Sequence, residues 1–256
     1  MVEIYENQIK EMNDLIDIAD LLTEDTQYKK TILKYITSPY DADIERIGKG
    51  VFTLGISKAE SPSLDKYDAA TAIARANNEA LAKLACTGAR FLTTKNVDDR
   101  KINALGLFIS KKSVTPMAFD SKGDTIYLVG ERLDDESEYQ INDNTLNVIL
   151  KSIEKGFITS AHYINSDGLF ISLLESCAPN NLGFDITGDA EIEDKDFLFA
   201  RSRHIAVITV NEEQENDLVD YLFNNKIPIT LLGHVTKGEL RLDELSFGHI
   251  TDYLPE

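Results

Sequence analysis

With 256 residues, 43% of them hydrophobic and 27% charged, the chain can bury one large core or two ordinary ones, and its composition is globular rather than disordered. Acidic side chains outnumber basic ones 44 to 26, a formal charge of −18 that argues against nucleic acid as a partner. A small phosphorylated ligand stays open, because a helix N-terminus makes a local positive field even in an acidic protein.

Met1 to Met12 carries acidic residues where a signal peptide has a basic segment and an apolar run, and no stretch reaches the ~20 apolar residues of a membrane span. The expected location is therefore the cytoplasm, without membrane association. From Asn7 to Thr37, Ile9, Met12, Leu15, Ile16, Ile18, Leu21 and Leu22 recur at helical spacing, which predicts a helical leader packed on the body. Pro39 ends it, since the residue before a proline is driven from helical angles. Gly48 to Lys58 reads as a strand. Tyr67 to Cys86 is predicted to be a long helix whose stripe of Ala70, Ile73, Ala76, Ala80, Leu81 and Leu84 permits close packing, with Gly88 ending it.

Phe91 to Asn96, Ala104 to Ser110 and Thr125 to Gly130 are the next strands. Glu131 to Asn144 is an acidic connector with no apolar face, expected to be an exposed loop or a domain joint. Beyond it the pattern alternates: a helix capped by Asn144 and ending at Gly156, a strand Phe157 to Ile164, a helix Leu169 to Cys177, strands at Phe197 to Phe199 and His204 to Val210, a helix Glu213 to Phe223, and strands Ile227 to Leu232 and Glu239 to Leu245. Nearly all-apolar strands alternating with helices predict an α/β or α+β layer structure. Cys86 and Cys177 both fall in apolar helical patterns and are expected to be buried, unpaired thiols.

The strongest candidate site is the stretch from Ser160 to Leu169, where a strand ends, a polar turn follows and a helix begins. Such a junction aims free N–H groups and the positive helix end at an anion, and phosphate is the usual ligand. His162, Asn165, Ser166 and Gly168 would line it, joined by Arg201 from the compact basic cluster Arg201-Ser202-Arg203-His204, which could hold a phosphate bidentately or simply balance the acidic run Glu191 to Asp196 at the surface. The bland reading is that Ser166 or Asp167 caps the helix, Gly168 makes the turn and His162 is a satisfied buried histidine. His162 is the one candidate for acid–base work, because imidazole titrates near neutrality. Asp41, Asp98 and Asp99 are the weak candidates for Mg²⁺. Gly233 to Gly238 is a second glycine-bounded loop that could bring Lys237 near an anion, though a turn joining two strands is the simpler explanation.

Three stretches resemble a known family: Gly123-Asp124-Thr125-Ile126-Tyr127-Leu128-Val129-Gly130-Glu131; Ile158-Thr159-Ser160-Ala161-His162 through Leu169 with Leu173-Leu174-Glu175-Ser176 and Asn181-Leu182-Gly183; and Gly233-His234-Val235-Thr236. They are similar to the phosphoribosylformylglycinamidine synthases, best to the second half of the large subunit, and more widely to the aminoimidazole ribonucleotide (AIR) synthase-related proteins. Pro39-Tyr40-Asp41-Ala42-Asp43 and the helix Ala69 to Gly88 resemble the family's front domain, shortened after Phe91. The resemblance implies a two-domain fold with a leader at 1–37, a reduced front domain at 38–120 and a rear domain at 121–256. It implies pairing of front domains through a β-barrel, hence a homodimer. It also implies ATP or ADP, Mg²⁺, and conversion of an amide to an amidine with ammonia from a glutaminase partner.

Several of the family's acidic positions are changed here. The acidic metal position of the first strand falls near Gly55-Ile56, and the aspartate expected after Thr93-Thr94 is Lys95. Tyr163 follows His162 in place of an aspartate, Asn165-Ser166-Asp167-Gly168 replaces serine-glutamate-glycine-glycine, and Ala200-Arg201 replaces serine-glutamate. The sequence thus leaves three readings: a divergent relative keeping a phosphate or nucleotide pocket with reduced or no catalysis, an active ATP-dependent C–N ligase, or a homodimeric scaffold. Nothing in it supports a glutaminase partner.

Overall fold

The structure, a computed structural model, describes residues 21–22, 26–33, 38–47, 52–60, 68–109, 114–130, 143–164, 167–199 and 205–254. The first four strands, β1 (Asp43–Ile47), β2 (Phe52–Glu60), β3 (Arg90–Asn96) and β4 (Lys101–Leu107), form an antiparallel sheet in the order β1-β2-β4-β3. Helix α1 (Ala69–Thr87) covers one face of it. Asp68 starts the helix by accepting from the Thr71 N–H, and Gly88, at φ 83°, ends it by donating to the carbonyls of Leu84 and Ala85. Ala72, Ala76 and Ala80 are fully buried, so the helix backbone lies close enough for Ser57 Oγ to reach the Ala80 carbonyl at 2.6 Å.

Among the described residues no helix packs on the other face of this sheet. Leu54 and Ile56 of β2 and Leu105 and Leu107 of β4 pair across the strands there and are only half-buried, while Ile47 and Phe52 are 47% and 56% exposed.

The remaining strands, β5 (Thr125–Val129), β6 (Ser160–Tyr163), β7 (Gly183–Ile186), β8 (Ala206–Val210), β9 (Ile229–Thr236), β10 (Glu239–Leu242) and β11 (Leu245–His249), form a second sheet in the order β11-β10-β7-β9-β5-β8-β6. Only the β10–β7 pair is parallel, so the layers are α+β. Strands β5, β6 and β8 are buried along their whole length, which accounts for their all-apolar look in the sequence.

Helices α2 (Asp143–Glu154) and α5 (Glu215–Asn224) cover one face through Val148, Ile149, Ile153, Leu218 and Leu222, and Ala82 and Cys86 of α1 join the same cluster. Thus α1 belongs to the cores of both sheets. Helices α3 (Leu169–Cys177) and α4 (Asp194–Phe199) cover the opposite face around Phe170, whose ring meets those of Phe184, Phe199, Phe247 and Tyr253 at 5.1 to 6.2 Å. Cys86 and Cys177 are free and buried, and burial pushes both thiols up.

Several sequence expectations need correction. Phe197 to Phe199 is the end of helix α4, not a strand; Asp194 and Asp196 in its first turn favour a helix start, and three residues carry no readable period. Strand β9 runs through Gly233 to Thr236, where a loop was expected, and a Cβ on Gly233 would strike the Asp185 carbonyl. The last strand is in fact the hairpin β10–β11, turned at Asp243 with φ 49°. Asn144 lies inside α2 rather than capping it. Strands β1 and β7 were not anticipated. Most of the leader and of the acidic connector lies outside the described residues.

Candidate functional site

Strand β6 is an edge strand, paired only with β8, so the N–H groups of Ala161 and Tyr163 point away from the sheet and need acceptors. Two segments linking the halves of the chain supply them. Ala161 donates to the Pro116 carbonyl at 2.9 Å and Tyr163 to Asp41 Oδ2 at 2.7 Å, while Met117 N–H ties one linker to the other through the Pro39 carbonyl at 2.9 Å. The candidate site is built on this edge.

Its centre is His162. Nδ1 faces Asp41 Oδ1 at 2.5 Å and Nε2 faces Glu175 Oε2, on α3, at 2.9 Å. A neutral imidazole carries one N–H and would set a lone pair against one of the two carboxylates; only the imidazolium donates at both nitrogens. Burial of His162 pulls its pKa down, but the charge and hydrogen bond of Asp41, with those of Glu175, outweigh it and hold the group at about 10. The Asp41 side chain is 2% exposed, that of His162 7% and that of Glu175 25%, so the pair grows wetter toward α3.

Next to it on α1, Lys83 bonds Glu79 one turn back at 2.5 Å and lies 5.9 Å from the centroid of the Tyr163 ring. Burial opposes its charge, but Glu79, and at longer range Asp41 and Glu175, keep its pKa raised.

Arranged this way, His162 is a cationic bridge with both nitrogens engaged inside the protein. Gly168, at φ 91°, caps α3 without a side chain, and a Cβ there would sit 2.8 Å from the Leu198 carbonyl oxygen and 3.0 Å from Phe199 Cα. Its glycine is thus required by the end of α4 pressed against it. Asn165, Ser166 and Arg201 lie outside the described residues. Asp41 has both carboxylate oxygens engaged. Asp98 turns the β3–β4 hairpin by accepting from the N–H groups of Arg100 and Lys101, each at 2.8 Å, and these bonds lower its pKa; Asp99 beside it is exposed. Among the described residues no group of three or more His, Cys, Asp and Glu could hold a metal ion, and no helix is long and apolar enough to cross a membrane.

Glu79, Lys83 and Glu175 were not singled out from the sequence. The Glu79–Lys83 spacing of four on a helix was the signal for two of them. Glu175 stood in a motif already noted, but its meeting with a residue in a strand shows only in the fold.

The fold is the AIR-synthase-like one, a four-stranded and a seven-stranded sheet with helices between and around them. A thiamine-monophosphate kinase from Stenotrophomonas maltophilia superposes with a TM-score of 0.58 at 14% identity, covering 87% of this chain and 96% of that one. PurL of Thermotoga maritima complexed with ATP superposes with a TM-score of 0.63 at 12% identity, covering 86% of this chain and 46% of that one. In sequence, the chain is related over about half its length to the phosphoribosylformylglycinamidine synthase subunit PurL: it is 25% identical over 147 residues to that of Carboxydothermus hydrogenoformans, 50% of this chain and 20% of the relative. The matched stretch spans about a fifth of the curated relatives it matches. No family model matches the chain.

Proposed function

We propose that this is a divergent, cytoplasmic PurL-related protein that retains an anion pocket for a phosphorylated ligand or nucleotide, with the full ATP-dependent amide-to-amidine reaction reduced or lost. The observation that carries the reading is the state of the position after His162. The resemblance places a carboxylate there; here it is Tyr163, 5% exposed, its ring in the core with Ile208 and Val148 and its N–H held by Asp41. The first-strand acidic position fares the same way: Gly55 faces α1, where a Cβ would lie 3.1 Å from Ala89 Cβ and 3.3 Å from Leu84 Cδ2 and Phe108 Cε2, leaving no room for a carboxylate. The residues present do not fit the family's Mg²⁺ set, and no step is routed through that ion.

The pocket is proposed at the end of the second sheet where β6 leaves and β8 enters. There the Ile164 N–H bonds the Ile205 carbonyl at 3.1 Å, the Ile205 N–H bonds Val129, and Gly168 opens α3. Asn165, Ser166 and Arg201 are the ligand contacts proposed, with His162 as the charged group behind them. Calorimetric titration with ATP, ADP and ribose 5-phosphate, with and without Mg²⁺, is expected to give heat for at least one of the three and no Mg²⁺ requirement. No heat and no thermal shift at roughly millimolar ligand would sink the pocket. A Mg²⁺-dependent ATPase signal lost on Asp98→Ala would favour the active ligase instead.

The half-buried apolar face of the first sheet supports a second element, a homodimer. A contiguous apolar face of Phe52, Leu54, Ile56, Leu105 and Leu107 needs a cover, and a second copy offers a matching one about a two-fold axis. Sedimentation at about 50 μM is expected to show a dimer; a stable monomer at that concentration would count against it.

A further inference from the structure

The face of the first sheet turned away from α1 carries an ordered pattern of charge. Strand registers line up its side chains in rows across that face. One row runs Glu45, Leu54, Leu107, Arg90 from β1 through β2 and β4 to β3; the next runs Asp43, Ile56, Leu105, Thr93; the third joins Lys58, Asn103 and Lys95. Burial alternates strictly along β2 and β4, so the residues toward α1 are buried while Leu54, Ile56, Leu105 and Leu107 share the opposite face. The middle of this face is apolar, its β1 edge acidic and its β3 edge basic.

Two of these charges are engaged within the chain, Asp43 with Lys58 at 2.7 Å and Arg90 with Glu154 at 2.7 Å. Glu45 and Lys95, one on each edge strand, are exposed, and no ion pair among the described residues engages either. A second copy laid on this face is related to the first by a two-fold axis lying between the two sheets. With the axis perpendicular to the strands, β1 faces β1 and β3 faces β3, acid on acid and base on base. With the axis parallel to the strands, β1 faces the partner's β3 at both edges, acid on base. Packed sheets lie about 10 Å apart, a gap that extended glutamate and lysine side chains close from its two sides.

Resting on the homodimer reading, we propose that two copies meet face to face with the two-fold axis along the strands, so that Glu45 on the β1 edge of each copy faces the Lys95 edge of the other. The apolar rows supply the affinity, and the charged edges choose between two orientations that the apolar rows fit alike. A second copy is the occupant because the pattern is its own complement: an acidic edge opposite a basic edge matches itself under this axis, whereas a partner of uniform charge meets one edge of its own sign. Each contact occurs twice in the dimer, so one substitution acts at both edges.

Sedimentation equilibrium of the full chain at low salt tests it, over roughly 1 to 100 μM, using Glu45→Lys, Lys95→Glu and the double variant. Each single variant sets like charges against each other at both edges and is expected to loosen the dimer about tenfold; the double variant exchanges the edges and is expected to return to within about threefold of the parent. An equal mixture of the two single variants is expected to form a heterodimer as tight as the parent dimer. A dimeric parent whose single variants associate as tightly as it does overturns the orientation, and so does a double variant weakened by the product of the single effects; both results leave the homodimer standing. A parent that is monomeric at about 50 μM removes the homodimer and this orientation with it. Should a reversal not fold, Glu45→Gln reads the same edge with a smaller loosening, and an unchanged dimer in that variant overturns the proposal.

Discussion

Replacing Asp41 by alanine is expected to cost about 3 to 5 kcal/mol of unfolding free energy, measured by urea denaturation at neutral pH. The substitution leaves the His162 imidazolium with an unpaired Nδ1–H at a position where its side chain is 7% exposed, and it strips the Tyr163 N–H of its acceptor on an edge strand. Glu175 alone remains, and it is the wetter partner. The sign of the accompanying pH effect follows from the direction of the shift. His162 holds its proton to about pH 10 in the folded chain, against 6.5 in its ordinary state, so between these values the folded state binds more protons than the unfolded one.

The contribution of His162 is thus complete below about pH 6.5 and is lost as the pH rises through 10. Its slope is at most about 1.4 kcal/mol per pH unit. Lys83, also raised, adds to the alkaline end of the same loss. Denaturation of the parent chain at pH 7 and pH 9.5 should show the decline, and Asp41→Ala should flatten it. A parent chain equally stable at both values would mean that His162 is neutral in the folded state and that the bridge is misread.

A satisfied buried histidine at 162 was readable in the sequence but its partners were not, and the reason is geometric. His162 meets Asp41 across 121 positions and Glu175 across 13, and no local period links them. Helices α1 and α3 were readable because their signals are local: Gly88 at a positive φ and a stripe of alanines at helical spacing for the first, Leu169, Leu173 and Leu174 on one face for the second. Strands β5 and β8 were readable because both faces are covered and the run is apolar throughout. Strand β1, half to fully exposed with charges at Asp43, Glu45 and Arg46, shows nothing to a search for apolar residues. The same holds for β7, with two of its four residues glycine and aspartate. Asp41 reads as a metal candidate by its charge alone; in the fold that charge faces a histidine and a backbone N–H.

Restoring the carboxylate that the resemblance expects in the first sheet should destroy the sheet rather than create a metal site. Gly55 pairs with Gly106 across β2 and β4, and both face the end of α1. A Cβ on Gly106 would stand 2.9 Å from that of Ala89 and 3.1 Å from the Arg90 carbonyl oxygen, and one on Gly55 3.1 Å from the same Ala89 Cβ. The glycine pair is what lets the helix end lie flat on the strands. Gly55→Ala should therefore cost on the order of 1 to 3 kcal/mol from overpacking. Gly55→Asp adds a buried, unpaired charge and should cost about 4 kcal/mol or more.

Its neighbour separates packing from charge. Ile56 points to the face away from α1, opposite Leu105, and is half-buried, so Ile56→Asp should leave the monomer nearly as stable while weakening self-association. Denaturation of the three variants, with sedimentation of the last, checks the series. A Gly55→Asp chain as stable as the parent and giving heat with Mg²⁺ would show that the first sheet still holds room for the family's metal, and the reading of this chain as a relative without that ion would fall.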